Sequence, residues 1–525
     1  MSNGLRCVPT AIAVMVATAN LANAQGKPSA LIDPKTLPRV GTVDERFQSY
    51  NIEMVEVTGG RFWKPYDSQA KAEQSSGNQP AGMDASLYEY RPPIDLSNAR
   101  LRKMATALGP AYLRVSGTWA NTTWFQGSDE TAPATPPAGF KAVLTGKEWK
   151  GVVDFSNAVG AKIVTSFAVS DGVRDAKGVW TPEQAKKLID FTKSAGGSIA
   201  AAEFMNEPTF PQIGGTPKDY DAAAFARDVA VFRGFMKQAS PETVILGPGG
   251  VMEGKTALPV QMKILKSEDI LVATGPVFDG FSYHTYGSVS SRCGRPGMPG
   301  LGSAETALTE DWLKRGEESE EYYAGLRDRF MPGKPMWLTE TGESACGGDR
   351  WASSFLDSFR YLNQLGALAK RGVQVHMHNT LAASDYGLLD EKTYEPRPNY
   401  WAALLWHRLM GATVLDAGSS PPPNLHVYAH CLAKRSGGVA LLVINADREK
   451  GQSLELLAAS ERYTLTAPDL TGKRVLLNGA ELKLGEGDAL PELKGLGMEA
   501  GKAEFPPASI TFLAVPGVKN AGCGK

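Results

Sequence analysis

The sequence predicts an α/β protein, a (β/α)8 TIM barrel followed by a C-terminal β-sandwich. Three observations carry this. Eight short, almost uninterrupted apolar stretches alternate with segments of helical apolar spacing, as a parallel sheet covered by helices requires. Beyond about Leu415 only short strands and turn residues remain, which suits a small sandwich. At 525 residues and 42% apolar side chains, the chain is too long for one average domain and can bury more than one core.

The first barrel strand is read over residues 46–57, closed by Gly59 and Gly60. Residues 100–108 have helical spacing, and strand two follows at 111–115 with Ser116-Gly117-Thr118 after it. A helix over 149–159 leads to strand three at 162–169, and a helix over 181–195, opened by Thr181-Pro182, leads to strand four at 198–207. After a long helix over 220–238 come strand five at 243–246, strand six at 280–286, strand seven at 335–340 and strand eight at 373–378. The barrel is assigned to 47–413, which exceeds the usual ~250 residues and implies long loops. Gly418-Ser419-Ser420-Pro421-Pro422-Pro423 reads as the boundary to a sandwich over 414–525, with strands at 425–432, 439–444, 462–465, 474–477 and 510–515. The lead at 25–46 has a stretch near Val40 suited to one further strand of that sandwich.

Residues 1–24 carry a basic start, a short apolar middle and Ala22-Asn23-Ala24, the marks of a secretory signal peptide. The mature protein is therefore expected to be exported, periplasmic or secreted, without membrane insertion. A net charge of −1 offers no basic field for nucleic acid. No nucleic-acid partner is expected, and the protein is expected to be a monomer. Export leaves Cys293, Cys346, Cys431 and Cys523, enough for two disulfides. Cys293 follows strand six and Cys346 follows strand seven, so their loops should be neighbours. Cys431 and Cys523 both fall in the sandwich and form the other expected pair.

In a (β/α) barrel, chemistry sits at the C-terminal ends of the strands. Strand four ends in Asn206-Glu207-Pro208, where proline has no N–H for the ladder and the chain must turn out. Strand seven ends in Glu340, nearly across the barrel mouth. Two carboxylates at one rim point to glycoside hydrolysis, with Glu207 as acid/base and Glu340 as nucleophile. Glu343 is the other candidate nucleophile. His376 and His378 share a face, but no third ligand of suitable spacing accompanies them, so no metal or other cofactor is expected. His378 and His284 are placed instead in the hydrogen-bond lining of the mouth.

Asn206-Glu207-Pro208 with Trp337-Leu338-Thr339-Glu340-Thr341 resembles the retaining (β/α)8 clan of glycoside hydrolases. With Ser49-Tyr50-Asn51-Ile52-Glu53-Met54, Ala111-Tyr112-Leu113-Arg114, Tyr386-Gly387-Leu388-Leu389-Asp390-Glu391 and Pro398-Asn399-Tyr400-Trp401, the chain is similar to family 79, the heparanases and β-glucuronidases. The resemblance implies a glucuronic-acid-containing glycan or glycoside as substrate. It implies that Gly347 and Gly348 hold the sugar carboxylate through backbone N–H groups, with Tyr386 adding a hydroxyl; this chain has Cys346 where the family often has a tyrosine. Glu53 is implied to bind ring hydroxyls and Asn206 the 2-hydroxyl, with Thr118, Tyr283 and Asn379 on the same rim. Exo-β-glucuronidase and endo-acting heparanase both fit. A xylanase or glucosidase of the same clan and a non-catalytic carbohydrate-binding barrel are the competing readings.

Overall fold

The computed structural model describes Met1 and residues 30–66, 85–128, 130–257, 263–294, 300–418 and 421–524. The expected signal peptide at 1–24 lies, but for Met1, outside the described residues. Eight parallel strands close into a barrel: Gln48–Glu53, Ala111–Ser116, Ala161–Ser166, Ile199–Glu203, Val244–Gly250, Gly280–Val289, Met336–Ala345 and Val373–His378, each paired to the next and the eighth to the first. They are called barrel strands one to eight below. Tyr112, Val164, Ala201, Leu246, Trp337, Val375 and Met377 fill the lower interior, so the barrel is a packed core with its polar residues displaced to one end.

The sandwich pairs a large sheet with a three-stranded one, Ala30–Ile32, Gln452–Leu456 and Gly501–Phe505. Leu415, Leu441, Val443, Leu454, Phe505 and Leu513 lie between them. The lead contributes two strands rather than the one expected near Val40: Ala30–Ile32 pairs with Gln452–Leu456, and Arg39–Thr42 with Met410–Leu415. Helix Pro398–Leu409 runs directly into Met410–Leu415, which pairs antiparallel with Leu425–Leu432. The second domain's sheet thus begins ahead of the expected residue 414, and the Gly/Pro-rich run is a loop within it. Leu442, Ile444 and Phe512 on the sheet's other face join the core formed by the barrel's outer helices. This explains why Val439–Asn445 is buried along its whole length, and why helix Phe355–Lys370, wedged between barrel and sheet, is buried on every face up to Ala369, its polar residues included.

Candidate active site

Strands four and seven both depart from regular pairing where they deliver their carboxylates. Ladder pairing in strand four ends at Glu203, short of the expected Glu207. From there Asn121 takes over the backbone: its Oδ1 accepts from Asn206 N and its Nδ2 donates to Asn206 O, both at 2.9 Å. Phe204 turns outward onto Trp180 (ring centroids 5.5 Å apart), and Glu207 adopts φ +46°, a left-handed conformation that a non-glycine residue keeps only where its surroundings impose it. In strand seven the register slips, with Leu338 opposite Tyr283 and Glu340 opposite His284. The extra residue is Thr339, so Trp337, Thr339 and Glu340 all reach the interior, which strict alternation forbids.

The two carboxylates meet at one imidazole. His284 Nδ1 lies 3.0 Å from Glu207 Oε1 and 3.7 Å from Glu340 Oε2. One ligand atom from each of the three residues lies within 4.8 Å of the others. Beneath them Arg114 donates from Nη1 to Glu340 Oε2 (2.8 Å), and from Nη2 to Glu203 Oε2 (2.9 Å) and Asn206 Oδ1 (2.8 Å). Tyr286 Oη donates to Glu340 Oε1 at 2.7 Å. Burial pushes the Glu207 carboxyl up; the His284 hydrogen bond pulls it down and the Glu340 charge pushes it up, leaving it above the ordinary carboxylate range. For His284, burial favours the neutral ring, but Glu340 and Glu207 outweigh it and raise its pKa. Glu203 is pushed up by burial, yet Arg114, His284 and the Ser282 hydroxyl together hold it below the usual range.

A second group of polar atoms adjoins this centre. Asn379 Nδ2 lies 2.9 Å from Glu53 Oε1, 3.0 Å from Tyr286 Oη and 3.2 Å from Tyr386 Oη. Glu53 Oε2 and Asn379 Oδ1 are buried and without a protein partner among the described residues. Burial, then the Glu340 charge, raises the Glu53 carboxyl well above its ordinary value. Gly117, at φ +88°, leaves the room it needs, since a Cβ there would lie 1.5 Å from Glu53 Oε2. Gly347 and Gly348, at φ +84° and +85°, form the turn after strand seven. The Gly348 N–H is taken by Ser344 O (3.1 Å), so of the expected pair of backbone donors only Gly347 N–H lacks a protein partner among the described residues. Thr118 opens a short 3-10 turn beside Gly117, half-buried and with no side-chain hydrogen bond among the described residues.

Two expectations are corrected, and the alternative nucleophile is set aside. Tyr283 does not line the rim. It faces outward, its ring 4.9 Å from that of Tyr323, because His284 and Tyr286 on the same strand face inward. Tyr286 supplies the hydroxyl instead. His378 likewise faces out, since Val375 and Met377 fill the interior; its Nε2 donates to Tyr386 O (2.8 Å) and burial lowers its pKa to about 4. Glu343 is not in the cleft, for its carboxylate accepts from Ser344 Oγ (2.6 Å) and Asp349 N (2.8 Å). Cys293 is disulfide-bonded to Cys346 and Cys431 to Cys523.

Arg114, Glu203, Asn121 and Tyr286 were not singled out as site residues in the sequence. The signal for the first two was present, a charge inside an apolar strand in Ala111–Ser116 and again in Ile199–Glu203, since buried charges persist only when paired.

Residues 83–366, more than half the chain, match the model of the glycosyl hydrolase family 79 N-terminal domain. The chain belongs to glycosyl hydrolase family 79. It is a glycoside hydrolase. Similar proteins include heparanase-like protein 1 of Arabidopsis thaliana, 26% identical over 488 residues, covering 82% of this chain and 86% of the relative. Baicalin-beta-D-glucuronidase of Scutellaria baicalensis is 28% identical over 487 residues (84% and 86%), and heparanase of Mus musculus 26% over 495 (82% and 88%). Among solved structures, α-L-arabinofuranosidase from Thermotoga maritima superposes with a TM-score of 0.62 at 14% identity, covering 92% of this chain and 99% of that one. A 4-O-α-L-rhamnosyl-β-D-glucuronidase from Fusarium oxysporum gives 0.60 at 12% identity (91% and 99%). These two likenesses show a shared fold.

Proposed function

We propose that this family 79 hydrolase cleaves β-linked glucuronic acid from a glycan or glycoside by double displacement, with Glu207 as acid/base and Glu340 as nucleophile. The observation that carries the mechanism is the spacing of the two carboxylates, whose nearest ligand oxygens lie within 4.8 Å. Retaining glycosidases hold the pair about 5–5.5 Å apart, and inverting ones about 6.5–9.5 Å, to admit a water. In the first step Glu207 gives its proton to the glycosidic oxygen, the C1–O bond breaks, and a Glu340 oxygen bonds C1 from the opposite face. In the second, Glu207 takes a proton from water, the water oxygen bonds C1, and the ester to Glu340 breaks. Sugar of unchanged configuration leaves and both carboxyls return to their starting states.

The raised carboxyl of Glu207 suits the proton donor of the pair, and the bonds from Arg114 and Tyr286 aim Glu340. Arg114 occupies Asn206 Oδ1, so the Asn206 amide N–H groups are what remain for the 2-hydroxyl. Glu53 Oε2 and Asn379 Oδ1, buried and without a protein partner among the described residues, are atoms of the kind that sugar hydroxyls satisfy. Gly347 N–H and Tyr386 Oη are donors suited to the uronate carboxylate. The names of relatives, among them baicalin-beta-D-glucuronidase, heparanase and the hyaluronoglucuronidase of Hirudo nipponia, support a glucuronide substrate. Two disulfides suit a chain folded in an oxidising compartment, in keeping with export through residues 1–24.

The test is hydrolysis of an aryl β-glucuronide beside the matching glucoside and xyloside, with the first-formed anomer read by NMR. Preferential release of β-glucuronic acid supports the reading. Initial release of the α-anomer overturns the mechanism, and a preference for glucoside or xyloside overturns the substrate. Size-profiling of a heparan sulfate digest separates endo from exo action.

A further inference from the structure

Cys346, Gly347 and Gly348 form three consecutive residues in the left-handed region, with φ of +65°, +84° and +85°. Glycine tolerates this, but a cysteine holds it only where neighbouring contacts impose it. Gly347 O accepts from Ser384 Oγ (2.9 Å) and Asp385 N (3.1 Å), and Gly348 O from Arg292 Nη2 (3.3 Å). In front, Ser384 Oγ and the Trp63 Cβ stand 2.5 and 2.6 Å from where a Gly347 Cβ would lie. Behind, the Cys293–Cys346 disulfide ties the turn to the loop after strand six, the strand that carries His284 and Tyr286. Cys293 and Cys346 belong to one apolar cluster with Leu87, Val289, Trp63 and Tyr88.

We infer that the Cys293–Cys346 disulfide is a specificity brace, which holds the turn so that Gly347 N–H meets the acidic group of the sugar. This rests on the glucuronide reading above. Cys293 and Cys346 act through Gly347 and are positioning residues, so their loss weakens capture of the uronate and spares bond cleavage at Glu207 and Glu340.

The experiment compares C293S/C346S with C431S/C523S, whose missing bridge lies in the sandwich, on an aryl β-glucuronide. The first variant is expected to raise KM about tenfold, the scale of one lost hydrogen bond to a charged group, with kcat within about threefold. The second is expected to lower Tm and leave KM unchanged. Should C293S/C346S not fold, the C431S/C523S protein is treated with dithiothreitol. One dithiol then opens the remaining S–S bond, giving two cysteine thiols and the cyclic oxidised reagent, and KM should rise in step with the thiol count. Unchanged KM after loss of the bridge, or a fall in kcat alone, overturns the inference and leaves the glucuronide reading intact. A wild type inactive on every glucuronide overturns both.

Discussion

Arg114 and Glu203 form an ion pair across the barrel interior, Nη2 to Oε2 at 2.9 Å, with both side chains at most 2% exposed, and the same guanidinium reaches Glu340 at 2.8 Å. One cation therefore serves a structural carboxylate below and the proposed nucleophile above. Removing one partner of a buried pair typically costs about 3–5 kcal/mol, because the other charge is left uncompensated. Arg114→Met is thus expected to lose roughly that much stability in urea unfolding and to lose turnover with it. Because Glu203 is held below its ordinary range, its share of the stability is present above the unfolded pKa near 4.3 and is lost as pH falls through the lower folded value. An Arg114→Met protein within about 1 kcal/mol of wild type would show that the pair is not the anchor of this centre.

Tyr286 aims the nucleophile from the other side, donating to Glu340 Oε1 at 2.7 Å. A hydrogen bond to a charged group contributes about 1.5–3 kcal/mol, so Tyr286→Phe is expected to lower kcat on an activated aryl glucuronide by about 10- to 100-fold. The fold should be unaffected by circular dichroism. An unchanged kcat would remove Tyr286 from the site.

The roles of the two carboxylates predict a split between substrates. Glu340→Gln should abolish turnover of every glycoside. Glu207→Gln should spare the first step for activated aryl leaving groups, which need little protonation, and should lose poor leaving groups. Pre-steady-state release of the aryl alcohol measures this, and equal loss in both variants on the activated substrate would contradict the assignment.

Most of the fold was legible because periodicity reports burial directly: all eight barrel strands follow from apolar runs between helices. Glu207 and Glu340 were legible because a carboxylate ending an apolar strand is costly without a role. Which neighbour of a strand-end residue faces the cleft was less legible, and Tyr283 and Tyr286 show why. They lie three apart on one strand, so they face opposite ways, and without the register either is a plausible rim hydroxyl. The slip at Thr339 was invisible, because a bulge reflects the partner strand as much as the local sequence. The Asn121 clasp on Asn206 joins residues 85 positions apart and leaves no local pattern.

His284 bridges the carboxylates, and its hydrogen bond lowers the Glu207 carboxyl that burial and Glu340 raise. As general acid Glu207 must be protonated, so activity falls as pH rises through its pKa. Replacing His284 with Leu, which has no donor, removes the largest opposing influence and should move the basic limb of kcat/KM to higher pH on a substrate with a poor leaving group, where protonation matters. A basic limb that stays in place, or moves down, would mean that another group sets it.

Glu343 gives a prediction of opposite kind, since it lies beside the site without serving it. Burial, reinforced by the Asp357 charge, raises its carboxyl to about 8 against bonds from Ser344 and Asp349 that lower it. A carboxyl whose folded pKa is raised keeps its proton when the unfolded chain has lost it. Its effect on stability is therefore small below about pH 4.5 and turns increasingly unfavourable as pH rises toward 8. Glu343→Gln keeps an oxygen to accept one bond and removes the titration, so its stability relative to wild type should climb between pH 5 and pH 8 by up to several kcal/mol, on the order of ~1.4 per pH unit. The variant should also retain the turnover that Glu340→Gln loses. Urea unfolding across that pH range, paired with a single rate assay, measures both, and a pH-independent difference or an inactive Glu343→Gln would refute the placement of Glu343 outside the chemistry.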